Sequence, residues 1–233
     1  MMKKIAVLTY PVKHRKTYDV LSILRANGYT DVKVYAVPFH YQKEHSPLIQ
    51  HRPEMNFQIP DIGELCLNLG YGYELGELES FNIDKDRIIL IAGAGILPKE
   101  FVDEHIIINA HPGYIPNCRG LDALKWAIAE KQPLGVTTHL LCGEIDAGKI
   151  IERRTIDIYK TDTFHSVAQR VYENEVSMLV EAIEKSDGKH LKAVSVENNV
   201  LHKRMPRDIE MSLMELFEQY KMTHAKEVIN NGF

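Results

Sequence analysis

The chain has 233 residues, of which 45% are hydrophobic and 26% are charged. This composition is typical of a globular domain and excludes disordered and fibrous proteins. The formal net charge of −4 leaves no basic excess for neutralising a nucleic-acid backbone. No apolar run reaches the roughly 20 residues that cross a bilayer. We therefore expect neither a nucleic-acid partner nor a membrane.

Cysteine usage and the first residues indicate a reducing compartment. The three cysteines are odd in number and far apart, which is more typical of the cytoplasm than of a disulfide framework. The apolar stretch near the start is too brief for a signal peptide and predicts a strand instead. The expected location is the cytoplasm.

The first half of the chain predicts an α/β fold. Short runs rich in Ile and Val alternate with a helical stretch, as in a parallel sheet that is buried on both faces. The predicted strands are 5–9, 32–37, 87–92 and 105–109, with a helix over 17–27. The segment 38–60 is rich in His, Pro and charge and predicts a long surface loop of the kind that shapes binding sites.

The second half predicts one long helix and a smaller appendage. A helix over 121–131 precedes strands over 135–142 and 149–158, which a tight turn at 146–148 connects. The long helix begins with Thr161 or Thr163 as its N-cap and stops near Gly188.

The segment after the long helix is more polar. It contains an amphipathic pattern of apolar residues at Ile209, Leu213, Leu216, Phe217 and Tyr220, which predicts a helix. We therefore predict a main domain over 1–188 and a C-terminal extension over 189–233. The helix of the extension either docks on the main domain or forms a homodimer contact.

Polar residues follow a buried strand at Asn109 and His111, just before a loop with two prolines and two glycines. In open α/β sheets, ligands bind beyond the carboxyl ends of the strands. Alternation along the strand places both side chains on one side, where an amide donor and an imidazole suit an acyl transfer. Taken alone, the pair is weak evidence, since Asn and His before a loop of glycines and prolines are more often turn formers and caps than catalysts.

Two further segments contain candidate residues. In the hairpin 141–150, Asp146 is either a solvated turn residue or an orienting partner of His111. The segment 89–98 runs from a buried strand into a glycine loop. It lacks G-x-G-x-x-G and has no clear helix directly after it, so it is a poor phosphate cradle. Its small residues admit a flat ligand, or they serve packing alone.

The order of these motifs resembles the formyltransferase family. The chain reads Gly-Ile-Leu-Pro at 95–98, Asn-x-His-Pro at 109–112, Gly-Val-Thr at 135–137 and Glu-Ile-Asp-x-Gly at 144–148. The resemblance covers roughly residues 87–185. That family includes glycinamide ribonucleotide, methionyl-tRNA and nucleotide-sugar formyltransferases. The resemblance implies a Rossmann-like, mostly parallel sheet flanked by helices, and formyl transfer from 10-formyltetrahydrofolate to an amine without a metal.

The resemblance also implies which residues form the site. It places the family's three catalytic positions at Asn109, His111 and Asp146. Backbone groups would hold the pterin, on one side at Gly95, Ile96 and Leu97, and on the other at Cys142, Gly143, Glu144 and Ile145. The substrate would meet Pro112, Gly113 and Tyr114.

Departures from the family patterns bear on the acceptor amine. After the first strand the chain reads Tyr10-Pro11, where glycinamide ribonucleotide enzymes have a glycine phosphate loop, so that cradle is absent. The extension is too short for the tRNA-binding barrel, and the net charge also disfavours tRNA. We therefore expect a small-molecule amine on a nucleotide-linked amino sugar, with glycinamide ribonucleotide as the alternative. The nucleotide would meet the loop that contains His40, His45, His51 and Arg52.

Two alternatives of other classes remain. A metal held by His105, His111, His139 and Asp146 would make the protein a hydrolase acting on formyl-folate. The chain could also be a folate-binding relative without catalysis. The presence of all three catalytic residue types favours formyl transfer.

Overall fold

The computed structural model describes residues 3–39, 46–54, 58–142, 148–186, 191–193 and 200–227. Its first half contains β1 (Ile5–Thr9), α1 (Arg15–Ala26), β2 (Val32–Ala36), α2 (Ile62–Leu69), β3 (Gly72–Leu75), a short 3-10 turn (Leu78–Ser80), β4 (Ile88–Ile91), α3 (Lys99–Glu104) and β5 (Ile106–His111). Its second half contains β6 (Arg119–Gly120), α4 (Ala123–Ala129), β7 (Gly135–Leu140), β8 (Lys149–Thr155), α5 (Phe164–Lys185), β9 (Lys192–Ala193), β10 (Leu201–His202), α6 (Arg207–Met211) and α7 (Leu213–His224).

One sheet organises the domain, with the strand order β3-β2-β1-β4-β5-β7-β8-β9. The strands from β3 to β5 are parallel, whereas β7, β8 and β9 join in antiparallel pairs. The predicted α/β class with a mostly parallel sheet is confirmed. Because parallel neighbours end at one edge, the carboxyl ends of β1, β4 and β5 lie side by side, which is where open α/β sheets bind ligands.

The pleat of β5 sorts its side chains between two apolar clusters. Ile108 and Ala110 pack in the cluster that contains residues of α1 and α5. Ile107 packs in the cluster on the opposite face, beside residues of α3 and the 3-10 turn. Since side chains alternate along a strand, Asn109 and His111 share the face of Ile107.

The long helix α5 begins as predicted, and Thr163 is its N-cap. The Thr163 hydroxyl accepts from the Ser166 amide, and the Ser166 hydroxyl accepts from the Thr163 amide, which completes a capping box. The expected stop at Gly188 lies outside the described residues, and α5 ends at Lys185. Among the described residues, no helix is both long and apolar enough to cross a membrane.

The described part of the extension packs against its own chain. The Phe217 ring meets the Phe164 ring edge-on at 5.8 Å, and the Tyr220 hydroxyl donates to the Gln132 carbonyl at 2.9 Å. The predicted amphipathic helix is two helices, α6 and α7, which meet at Ser212. The boundary at 188 and 189 stays a prediction.

The helices α2 and α3 and the strand β3 are among the elements that were not predicted, although α2 has clear sequence signals. The helix α2 is capped by the Asp61 side chain, which accepts from the Glu64 amide, and it stops at Gly70, whose φ of 72° suits glycine. The strand β3 follows it. The helix α3 opens after Pro98, so the expectation that no helix follows the glycine loop is wrong.

Candidate active site

The pair Asn109 and His111 lies at the carboxyl end of β5, inside the strand. His111 is 4% exposed, and its Nε2 lies 3.0 Å from the Cys118 carbonyl oxygen. Because a carbonyl oxygen only accepts, Nε2 bears the proton, and Nδ1 is the basic nitrogen of the neutral ring. The strand therefore presents an oriented imidazole at the expected ligand-binding edge.

The neighbouring strand β7 supplies a partner for Asn109. In the antiparallel register, Asn109 lies opposite His139 and His111 lies opposite Thr137. The Asn109 Nδ2 atom lies 3.4 Å from His139 Nε2, and an amide nitrogen can only donate, so the His139 ring accepts. The sequence suggested His139 only as a metal ligand. Its role beside Asn109 depends on the register, which a single sequence does not reveal.

The loop after β5 packs closely against the His111 ring at Gly113. A Cβ at Gly113 would lie 2.6 Å from both His111 Nε2 and the Cys118 carbonyl oxygen. The Thr137 hydroxyl donates to the Gly113 carbonyl at 2.8 Å and accepts from the Ile115 amide at 3.0 Å. Gly113, expected to contact substrate, thus also sets the close packing around His111.

Replacing Gly113 with alanine should disturb this packing and lower formyl transfer together with stability. The new methyl group would displace the His111 ring or the Cys118 carbonyl, and such overpacking costs roughly 1–3 kcal/mol. Urea unfolding and turnover of the variant measure both effects. The matched control is Gly72→Ala, whose methyl group would meet only the flexible Lys33 side chain. Equal effects in both variants would contradict a specific role for Gly113.

The glycine loop after β4 lies at the same edge. The Tyr10 hydroxyl donates to the Ala94 carbonyl at 2.8 Å, and a Cβ at Gly93 would lie 2.7 Å from the Tyr10 ring. Beyond this contact, Gly95 is exposed and Ile96 is 86% exposed, whereas Leu97 packs against the core. The loop therefore projects an apolar side chain beside the end of β5.

The other expected site residues are only partly described. Asp146, Gly143, Glu144 and Ile145 lie outside the described residues, so the predicted catalytic and pterin contacts there stay predictions. Cys142 is exposed just after β7. Tyr114 packs its ring under the Arg153 guanidinium, 5.7 Å from the ring centroid.

The segment 46–54, part of the predicted surface loop, is held by two buried carboxylates, Glu210 and Glu175, and lies near a third, Asp122. Glu210 accepts from the Leu48 and Ile49 amides at 3.0 and 3.2 Å. Asp122 lies 3.9 Å from His51, and Glu175 pairs with Arg52. His40 and His45 lie outside the described residues. Glu175 was missed, although a charged residue on the apolar stripe of α5 is the signal that could have found it.

Burial and charge shift several pKa values around this segment. Burial alone would raise the pKa of Glu175, but Arg52 and Lys16 outweigh it and hold the pKa at about 2. Burial lowers the pKa of His14 to about 4, and the nearby cations Lys16 and Arg52 add to the shift. Burial, with Arg52, also lowers the pKa of His51 to about 4. Both histidines are therefore neutral at pH 7.

The free energy of unfolding should fall as the pH drops from about 6.5 toward 4. In this window the unfolded chain protonates His14 and His51 while the native state does not, so stability rises with pH. Each histidine contributes at most about 3 kcal/mol to this dependence. Urea unfolding between pH 7 and 4.5 should show a smaller loss in the double variant His14→Asn/His51→Asn, whereas His165→Asn, at an exposed position, should match wild type. An unchanged pH dependence in the double variant would contradict the assignment.

The metal-ligand set of the hydrolase alternative does not assemble as a whole. His105 precedes β5 and His111 ends it, which separates the two by about 20 Å of extended chain. His105 stacks on Phe101, with ring centroids 4.5 Å apart. Within the described ranges, no group of three or more His, Cys, Asp or Glu side chains is placed to hold a metal ion.

Known proteins resemble the part of the chain that contains Asn109 and His111. A family model described as Formyl transferase matches residues 76–183. The methionyl-tRNA formyltransferase of Thermodesulfovibrio yellowstonii is 26% identical over 141 residues, which cover 56% of this chain and 46% of that protein. The phosphoribosylglycinamide formyltransferase of Dictyostelium discoideum is 33% identical over 125 residues, which cover 48% of this chain and 61% of that protein. The chain thus spans less than two thirds of the length of either relative.

A solved structure extends the likeness to nearly the whole chain. The N-formyltransferase from Helicobacter canadensis, in complex with folinic acid and dTDP-3-aminofucose, has a TM-score of 0.64 and 14% identity, covering 98% of this chain and 85% of that chain. At this identity the likeness shows the fold. Residues 76–183, which contain Asn109 and His111, thus resemble formyl transferases in sequence, and nearly the whole chain shares the fold of the solved N-formyltransferase.

Proposed function

We propose that this protein transfers a formyl group from 10-formyltetrahydrofolate to a primary amine of a small molecule, an amino sugar linked to a nucleotide. The observation that carries the proposal is the pair Asn109 and His111 on one face of β5, at the edge where α/β sheets bind ligands and within the segment that matches the family. An amide donor beside an imidazole suits acyl transfer to nitrogen.

The roles of the two residues follow from their contacts. The donor would supply an activated formyl group. A bond would form between the acceptor nitrogen and the formyl carbon, and the bond between the formyl carbon and the folate nitrogen would break. One proton would pass from the acceptor nitrogen to the folate nitrogen. Asn109 directs one N–H at His139, and its second N–H would stabilise the charge developing on the formyl oxygen. His111 Nδ1 would handle the proton.

We assign the third role to Asp146, as the orienting partner of His111. This assignment rests on the family motif at 144–148. A carboxylate beside the ring would stabilise its protonated form. It would thereby complete the proton path from the acceptor amine.

The loop 95–97 fits the flat ring system of a folate. Gly95 and the exposed Ile96 present backbone groups and one apolar side chain at the edge beside β5. A glycine at the first position admits close approach. The Helicobacter canadensis neighbour was solved with folinic acid, which supports a folate donor for this chain.

Two observations support a nucleotide-linked amino sugar as the acceptor. The Helicobacter canadensis neighbour, with a TM-score of 0.64, was solved in complex with dTDP-3-aminofucose. Here Tyr10, against Gly93, occupies the place where a glycine phosphate loop would follow β1. Glycinamide ribonucleotide is the second candidate, because the Dictyostelium discoideum relative is a phosphoribosylglycinamide formyltransferase. A cytoplasmic location and a homodimer through 189–233 stay predictions.

An acceptor panel tests the proposal. Purified protein is incubated with 10-formyltetrahydrofolate and, separately, nucleotide-linked amino sugars, the same sugars without the nucleotide, and glycinamide ribonucleotide. We expect tetrahydrofolate release and a formylated product with a nucleotide-linked sugar. Comparable turnover of glycinamide ribonucleotide would contradict the acceptor assignment. Formate release without any amine, together with stoichiometric zinc, would support the hydrolase instead.

A further inference from the structure

Two arginines at the carboxyl edge of the sheet are each placed beside a buried carboxylate and remain exposed. Arg52 pairs with Glu175, and Arg204 lies 4.0 Å from Asp122. The arginine side chains are 40% and 41% exposed, whereas the carboxylates are 2% and 4% exposed. Because a guanidinium has five N–H donors, each arginine keeps donors that face solvent.

The Glu175 carboxylate pairs with two cations but can neutralise only one of them. Glu175 also accepts from Lys16 Nζ at 2.8 Å, so one negative charge meets two positive charges. Its pKa of about 2 keeps it ionised. The excess charge is presented on Arg52, since the Lys16 side chain is only 11% exposed.

The second carboxylate lies next to the loop that follows His111. Asp122 accepts from the Met205 amide at 2.9 Å and precedes Ala123, the first residue of α4. The position of a Gly113 Cβ is 3.0 Å from the Ala123 Cβ and 2.6 Å from His111 Nε2. Arg204 therefore lies beside a carboxylate whose neighbour in the chain, Ala123, packs against Gly113.

The chain also links the two arginines to each other. His51, adjacent to Arg52 in sequence, has its Nε2 atom 3.9 Å from the same Asp122 carboxylate. Lys16 belongs to α1, which packs with α5 on the face of the sheet that contains Ile108 and Ala110. The loop 95–97 reaches the core on the opposite face through Leu97. Arg52 therefore lies on the side of α1 and α5, and we assign that side to the acceptor.

We infer that Arg52 and Arg204 bind the diphosphate group of the acceptor, one phosphoryl group for each guanidinium. This inference rests on the proposed function for its substrate. Arginine suits the task because its planar fork can donate two hydrogen bonds to one phosphoryl group. Glu175 holds the Arg52 guanidinium in place before the ligand arrives, which lowers the ordering cost of binding. The Asp122 carboxylate attracts Arg204 from 4.0 Å.

Calorimetric titration with inorganic pyrophosphate and with a nucleoside diphosphate tests the site directly. We expect Arg52→Met and Arg204→Met each to weaken binding about tenfold, as the loss of one charged hydrogen-bonding contact predicts. The matched control is Arg25→Met, which removes the same charge at an exposed position near the end of α1. Wild-type protein that binds neither probe, or a control that loses as much affinity as the two variants, would overturn the inference.

Arg204→Met is the cleaner variant, because Asp122 keeps its backbone partner. Where Arg52→Met fails to fold, Arg52→Lys retains a cation beside Glu175 and should still weaken binding by losing the fork. Circular dichroism and thermal unfolding establish that each variant is folded. Wild-type affinity in folded Arg204→Met would by itself refute the two-arginine site.

Steady-state kinetics separate this inference from the proposed function. With a nucleotide-linked amino sugar, Arg204→Met should raise KM about tenfold and leave kcat near wild type, whereas the amino sugar without its nucleotide should show no change in KM. A ribose 5-phosphate titration distinguishes a single phosphate from a diphosphate, which should bind more tightly. If formyl transfer proceeds and the arginine variants match wild type, the inference fails alone. If no amine is formylated, the proposed function fails while the pyrophosphate titration still decides the site.

Discussion

Alanine at Asn109 or at His111 is expected to lower the turnover number at least about a hundredfold while the fold is retained. The proposed reason is that each residue would act on charge that develops only during the transfer. Asn109 would lose the N–H that stabilises the formyl oxygen, and His111 would lose the imidazole that handles the amine proton. The measurement is kcat for folate-dependent formylation of the best acceptor, with circular dichroism as the check on folding.

The matched control for these variants is His105→Ala. His105 flanks the opposite end of the same strand, where its Nδ1 contacts the Phe101 carbonyl at 2.9 Å. It should therefore keep near-normal turnover. Near-normal transfer by His111→Ala would contradict the proposed mechanism, and a loss in His105→Ala equal to that in His111→Ala would show that the strand, not the site, is being disrupted.

Glutamine at Glu210 is expected to lower the free energy of unfolding by about 3–5 kcal/mol, the usual cost of breaking a buried ion pair from one side. Glu210 pairs with Lys125, and the two side chains are 3% and 0% exposed. Lys125 and the Leu48 and Ile49 amides hold the pKa of Glu210 below its usual value despite burial. Without the carboxylate, a charged ammonium group is left in the interior.

The double variant Lys125→Met/Glu210→Gln tests this explanation. It removes both charges while the glutamine oxygen can still accept from one of the Leu48 and Ile49 amides, so it should recover much of the lost stability. Urea unfolding at pH 7 measures both variants. The exposed control Glu215→Gln should change stability by less than about 0.5 kcal/mol. No recovery in the double variant would mean that backbone contacts, not the buried charge, set the cost.

Breaking the pair of Glu210 and Lys125 should also weaken binding at the proposed acceptor site. Glu210 accepts hydrogen bonds from the segment 46–54, which contains His51 and Arg52. The same carboxylate therefore joins α4, the C-terminal extension and the segment that presents Arg52. A folded Glu210→Gln protein should bind pyrophosphate more weakly, because the segment is less well held.

Local patterns were sufficient for most of the fold. Runs of Ile and Val marked β1, β2 and β4, because both faces of these strands are buried. The threonines at 161 and 163 marked the start of α5, and Thr163 is its N-cap. The break between α6 and α7 at Ser212 was missed, because the apolar spacing continues across it and only packing against the main domain separates the two helices.

The sequence by itself determined the class of the domain and the pair Asn109 and His111, since strand periodicity places two residues on one face wherever the strand lies in the sheet. Only the tertiary structure decided what surrounds the pair. The register of β5 and β7 brings His139 to Asn109. The fold also seats Glu175, Asp122 and Glu210 under a segment far away in sequence. These contacts join residues more than 70 positions apart. The role of a buried charge can be recognised only when the position of its partner from another element is known.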